Sequence, residues 1–149
     1  MNKEILYIEL KTGFSHNGPA WIGAVEFSKS KQTIYFDGKA LKKFKTPAIN
    51  ANYYDIENGN EYWISGVKKD GLDRHKFGGG KIMLDKNAVE KYLEIIGDEL
   101  INTKKIEIVN IEKTDRKKFT EIENSKVNNE DRNSYFDNNY NKLNKNHIA

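Results

Sequence analysis

Three histidines, at positions 16, 75 and 147, and a complete lack of cysteine limit the chemistry open to this chain. Without thiols it makes neither disulfides nor thiolate metal sites. The histidines are far apart and match no ligand spacing such as HxxxH, so neither a metal nor a cofactor is expected. No GxSxG elbow is present. The adjacency of Ser15 and His16 does not align a nucleophile with its base, because neighbouring side chains in extended chain point apart. Two loops remain, GFSHNGP with His16 and GLDRHKF with Asp73, Arg74 and His75. If they converge, they form a pocket in which Arg74 holds an anionic group bidentately and His75 exchanges a proton. That is the reading of a small enzyme or an anionic-ligand-binding protein. The glycine run at 78–80 precedes a strand-like KIML and has no GK[ST] ending, so it reads as a loop or bulge rather than a phosphate cradle.

A second set of residues suggests binding without catalysis. Between Lys29 and Lys45 stand six lysines against the single acid Asp37, and between Lys68 and Lys81 five basic residues against Asp70 and Asp73. The stretch NYYDIENGNEYWISGVKK places aromatic residues on both sides of Asn58-Gly59. Aromatic rings beside a basic rim are the means by which single-stranded nucleic acid is held, through stacking and phosphate contacts. Aromatics and arginine are also the usual anchors of protein interfaces. The leading expectation is therefore a non-catalytic binding module whose partner is a protein or single-stranded nucleic acid. Tyr53, Tyr62 or Trp63 would stack or anchor, while Lys42, Lys43, Lys68, Lys69 and Arg74 supply charge. The bland alternative is a solvated face whose lysines keep strand edges from aggregating.

Composition sets the frame for both readings. A length of 149 residues suits one domain with a modest core. With 32% charged residues and no long apolar run, no membrane span is expected. MNKEILYIEL lacks the apolar stretch and cleavage site of a signal peptide, which makes the cytoplasm the simplest location. A net charge of +3 is too small to argue for nucleic acid by itself.

The elements that must position these residues are mostly strands. ILYIEL (5–10) alternates Leu6, Ile8 and Leu10 against Ile5, Tyr7 and Glu9. AWIGAVEF (20–27) aligns Trp21, Val25 and Phe27 on one face, around Gly23. TIYF (33–36) and KALKKF (39–44) flank Asp37-Gly38, a type I′ hairpin signal. A two-residue turn at Asn58-Gly59 would set Tyr54 opposite Trp63 and Asp55 opposite Tyr62. It would place Tyr54, Ile56 and Trp63 on one face and Tyr53, Tyr62 and Ile64 on the other. KIML (81–84) reads as a strand, and Asp85 as the N-cap of a helix near 86–96 with Val89, Tyr92, Leu93 and Ile96 in its apolar stripe and Gly97 as its stop. IEIVNI (106–111) closes the body.

The fold expected is mainly β (α+β): a small curved antiparallel sheet, or an SH3-like or OB-like barrel, of five or six strands with one C-terminal helix. Residues 1–112 form this domain. Residues 113–149, rich in Asn, Lys, Asp and Glu, read as a polar tail, partly disordered or helical, in which Phe119 and Ile122 offer a short docking stripe.

Two blocks, KTGFSHNGPAWIGAVEFSKSKQTIYFDGKAL and NYYDIENGNEYWISGVKKDGLDRHKFGGGKIMLDKNAVEKYLEII, resemble a group of small bacterial proteins often labelled 1-deoxy-D-xylulose-5-phosphate synthase. The resemblance spans roughly residues 5 to 97 and rests on NGPAWIG, YFDGKA, YWISGVKK and the Gly-rich loop. The synthase activity is not implied by it. Such an enzyme holds thiamine diphosphate between large α/β domains through a GDG…N signature, whereas this chain offers only Lys69-Asp70-Gly71 in a short β-rich setting.

Overall fold

The structure is a computed structural model and describes residues 4–14, 17–74 and 79–120. It is mainly β, as the alternating pattern predicts. In chain order the strands are β1 (Ile5–Leu10), β2 (Ala20–Ala24), β3 (Glu26–Phe27), β4 (Thr33–Phe36), β5 (Lys39–Lys43), β6 (Tyr53–Asp55), β7 (Glu61–Gly66) and β8 (Ile82–Asp85). A 3-10 turn at Lys86–Ala88 leads into helix α1 (Val89–Ile96), and β9 (Ile106–Val109) follows. They form one sheet in the order β3-β4-β5-β6-β7-β1-β2-β8-β9, curled into a half-barrel.

Among the described residues the sheet has nine strands, not five or six. One reason lies at Val25, where the segment changes partner: its N–H donates to the Glu4 carbonyl in continuation of the β1–β2 register, and the next residue, Glu26, pairs with Tyr35 of β4. The predicted 20–27 strand is thereby split: β2 pairs with β1, while β3 pairs with β4 at the far end of the order. The sheet must curl to bring both halves of this one segment into register. Trp21, Val25 and Phe27 still share a face, and Gly23 between them is required by packing, since a Cβ there would sit 2.9 Å from Phe36 Cε1.

The sheet is also mixed rather than antiparallel. β8 runs parallel to both β2 and β9. Strands joined through a helix return in the same direction, whereas a hairpin reverses them. The segment β8–α1–β9 is such a crossover unit. Asp85 caps it as expected, its Oδ1 accepting from Asn87 N–H at 3.0 Å, and Gly97 ends it in the left-handed conformation at φ 74°.

Two turns test the hairpin signals. Asp37 and Gly38 both take positive φ (49° and 77°) and join Phe36 directly to Lys39, as a type I′ turn requires. At Asn58-Gly59 only the glycine is positive, at 78°. The Asp55 carboxylate accepts from Glu57 N–H, the Asp55 carbonyl from Gly59 N–H, and the Asn58 side chain from Asn60 N–H. These local bonds favour a four-residue loop, 56–59, over the two-residue turn. Tyr53 consequently faces Tyr62, and Tyr54 faces Glu61. The register differs from expectation by two residues, which preserves the face of every side chain; a shift of one would have inverted them all.

Both faces are covered. Inside the curl lie Leu6, Ile8, Ile34, Leu41, Tyr53 and Tyr62. On the other face Ile5, Tyr7 and Ile22 pack with Leu84, Tyr92 and Ile106 beneath the crossover unit. The body does not end at residue 112. Glu112 N–H donates to Asp37 Oδ1, Gly38 N–H donates to Thr114 Oγ1, and Phe119 is fully buried against Tyr35 and Ala40. Residues 112–119 thus strap across the β4–β5 turn, with the predicted docking residue Phe119 as the anchor. Ile122 lies outside the described residues.

Candidate functional site

Burying an acid on a strand is costly unless cations and donors surround it. Glu9, near the end of β1, is 1% exposed. Its Oε1 accepts from the Tyr7 hydroxyl at 2.6 Å, its Oε2 accepts from Lys11 Nζ at 3.0 Å, and Arg74 Nη1 lies 4.0 Å from Oε2. The three strand residues alternate onto one face because they are two positions apart. Burial, and then the bond to Glu9, drives the Tyr7 hydroxyl well above the ordinary tyrosine range.

Arg74 arrives from the loop that follows β7 and ties it to the loop after β1. Its Nη2 donates to the Gly18 carbonyl at 3.0 Å, and nearby Gly79 N–H donates to Asn17 Oδ1 at 2.7 Å. Gly18 itself has no room for a side chain, because a Cβ would collide with the Leu10 carbonyl. The two loops singled out in the sequence therefore converge, as their flanking residues show. His16, His75 and His147 lie outside the described residues.

The same loop separates two recesses. The larger, about 460 Å³, opens between residues 69–74 and the crossover unit. Lys69, Arg74 and Lys105 bring three positive charges to it, and Asp70 and Asp98 two negative ones. One carboxylate oxygen of Asp70 is already taken by Leu72 N–H at 2.9 Å. Ile82, Ile96 and Ile106 form an apolar floor beside Tyr92, whose hydroxyl is pushed up chiefly by burial. The smaller recess, about 250 Å³, lies between Trp63 and Asp73, with Glu9 and Lys11 at its base. Asp73 is held there by Lys68 N–H, which donates to its Oδ1 at 2.7 Å. Burial raises the Asp73 carboxyl above its usual value against the opposing pull of that bond.

The other candidates are placed as follows. Tyr53 and Tyr62 are core side chains, 8% and 3% exposed, so neither presents a ring to a partner. Trp63 does, on the opposite face of β7 and 36% exposed. Lys42 and Lys43 stand on β5 opposite Tyr54 and Tyr53, with β6 between them and β7; Lys68 and Lys69 follow the end of β7. The two basic clusters thus belong to different parts of the sheet. Among the described residues, no three His, Asp or Glu side chains come together as a metal site, and no helix is long and apolar enough to cross a membrane.

Glu9, Lys11, Tyr7 and Tyr92 were not singled out as site residues by the sequence. The available signal was Glu9 on a strand with two apolar faces, where a charge needs partners from elsewhere. No family model, no curated protein and no solved structure matches this chain.

Proposed function

We propose that this chain is a non-catalytic binding module for a small anionic ligand, which it takes in the 460 Å³ recess between residues 69–74 and α1. One observation carries the reading: Lys69 and Arg74 from the loop after β7, and Lys105 from the segment before β9, line one recess with an apolar floor. A few placed polar groups over apolar walls is the common make-up of a small-molecule site. The curled sheet serves as a rigid scaffold of SH3-like kind. Arg74, locked to Gly18, needs little ordering on binding, which lowers the entropic cost.

The test is calorimetry at low ionic strength with phosphate, pyrophosphate, citrate and adenosine monophosphate. Saturable heat with one of them, weakened at least about tenfold by Lys69→Gln together with Lys105→Gln, is expected. Absence of heat with all four would overturn the reading. A single-stranded oligonucleotide that binds only through Lys42 and Lys43 would move the function to β5.

A further inference from the structure

The smaller recess is a different environment from the anionic site. Its lining holds two acids, Glu9 and Asp73, and two lysines, Lys11 and Lys68. An ion entering it meets as many charges of its own sign as of the opposite one. Glu9 is already satisfied by Tyr7 and Lys11. Asp73 is not: it is 8% exposed, Lys68 N–H occupies Oδ1, and Oδ2 is buried with no hydrogen-bond partner. An unmatched buried acceptor of this kind costs about 1–3 kcal/mol.

The rim narrows the choice of occupant. Trp63 is 36% exposed beside the recess, and Asn50 and Ile49 stand across from it, Ile49 at 95% exposure. A ligand that fits must therefore be small and uncharged, offer hydroxyl or N–H donors to a carboxylate, offer acceptors to Lys68 and Asn50, and turn an apolar face to an indole. A phosphate fails the first requirement and a hydrocarbon the second.

We propose that this recess is a carbohydrate subsite, built to hold one neutral pyranose or a comparable vicinal diol. Adjacent hydroxyls of a sugar ring are donor and acceptor at once. One donates to the Asp73 carboxylate, which lines the recess, while its neighbour accepts from the Lys68 ammonium or the Asn50 amide. The C–H face of the ring lies against Trp63, whose large rigid surface is ordered at small entropic cost. The volume of about 250 Å³ admits a single ring and leaves the remainder of a longer glycan outside. The site does not depend on the anionic recess, since its distinguishing residues, Trp63 and Asp73, do not line that recess.

The experiment is a two-dimensional ¹H–¹⁵N NMR titration of the full chain with glucose, galactose, mannose and N-acetylglucosamine, followed at the two indole N–H signals. Trp63→Phe assigns which signal is which. The expected result is a saturable shift of the Trp63 signal with one of these sugars, at dissociation constants of order millimolar. Trp21, whose ring packs at the inner core, stays in place. Asp73→Asn keeps an oxygen for Lys68 N–H and should weaken binding at least about tenfold, while Lys69→Gln with Lys105→Gln leaves it unchanged. No shift up to about 50 mM of any of the four sugars overturns the proposal. A Trp63 shift undiminished in Asp73→Asn overturns it equally.

Discussion

Phe119 and Tyr35 pack ring against ring, with centroids 6.3 Å apart, and so fasten the strap that follows β9 to the outer side of β4. The Arg116 guanidinium lies 4.4 Å from the centre of the same Tyr35 ring. Phe119 is fully buried, so its removal leaves a cavity that the strap fills only by detaching. Phe119→Ala is expected to lower the unfolding free energy by about 3 kcal/mol, read as a fall in the urea midpoint with little change in slope. Ending the chain after residue 112 should cost as much, because Thr114 and Phe119 leave together. A stability unchanged by both would mean that the strap is not part of the cooperative unit.

Glu9 offers a second test, through what surrounds it. Replacing it by Gln removes a charge from between Lys11 and Arg74 but retains an oxygen for Tyr7. Lys11 and Arg74, both largely buried, then lose the carboxylate they share. Breaking a buried pair in this way costs about 3–5 kcal/mol. Glu9→Gln is expected near the lower end, since both cations retain some access to water. Thermal unfolding monitored by circular dichroism would register the loss. If the cluster were a surface ion pair, the change would stay below about 1 kcal/mol.

The sequence shows the faces of this fold better than its connections. Alternation in ILYIEL and AWIGAVEF reports which side of a strand each residue occupies, and a two-residue slip at 56–59 does not disturb that. Pairing partners are set elsewhere. That β8 returns parallel to β2 depends on where the chain goes after β7, which no local pattern records. The split at Val25 depends on which strand takes each half, β1 for residues 20–24 and β4 for residues 26 and 27. The composition change at residue 112 is real, but one aromatic residue with a pocket to fill extends the body past it. In the candidate site, GFSHNGP and GLDRHKF draw attention by their residue types, and their flanks do meet. Glu9 could not be assigned its role from the sequence, because its partners come from positions 7, 11 and 74. The Tyr53 and Tyr62 rings, attractive by type, are needed by the core.

Alkaline titration gives a third prediction. Burial raises the hydroxyls of Tyr7, Tyr53, Tyr62 and Tyr92, with Tyr62 pushed up to about 12. Above pH 10 the unfolded chain loses these protons while the folded chain retains them. The unfolded state then binds fewer protons, and stability falls with pH. The contribution is complete below about pH 10 and declines as the pH climbs through 12. Absorbance at 295 nm should show only part of the eight tyrosines ionising reversibly near pH 10. The rest should ionise together with unfolding. Eight tyrosines titrating as one exposed class would contradict the buried arrangement.

Asp73 gives the fourth prediction, and it has the opposite use. Burial raises its carboxyl, so the folded state holds a proton that the unfolded state releases once the pH passes about 3.8. By the same linkage, its contribution to stability is favourable in acid and is lost as the pH rises through its folded value. Above its folded value Asp73 is therefore a burden on the fold: a buried charge with one oxygen unmatched. Asp73→Asn removes that charge and preserves the acceptor for Lys68 N–H. The variant should be more stable than the natural chain at pH 7, by about 1 kcal/mol, with the advantage disappearing below about pH 4. Parallel urea curves at the two pH values would measure it. A residue kept at a cost to folding needs some other reason to be there, and the sugar hydroxyl proposed for its carboxylate supplies one. A loss of stability at both pH values would instead make Asp73 a structural brace for the 67–74 loop and remove that reason.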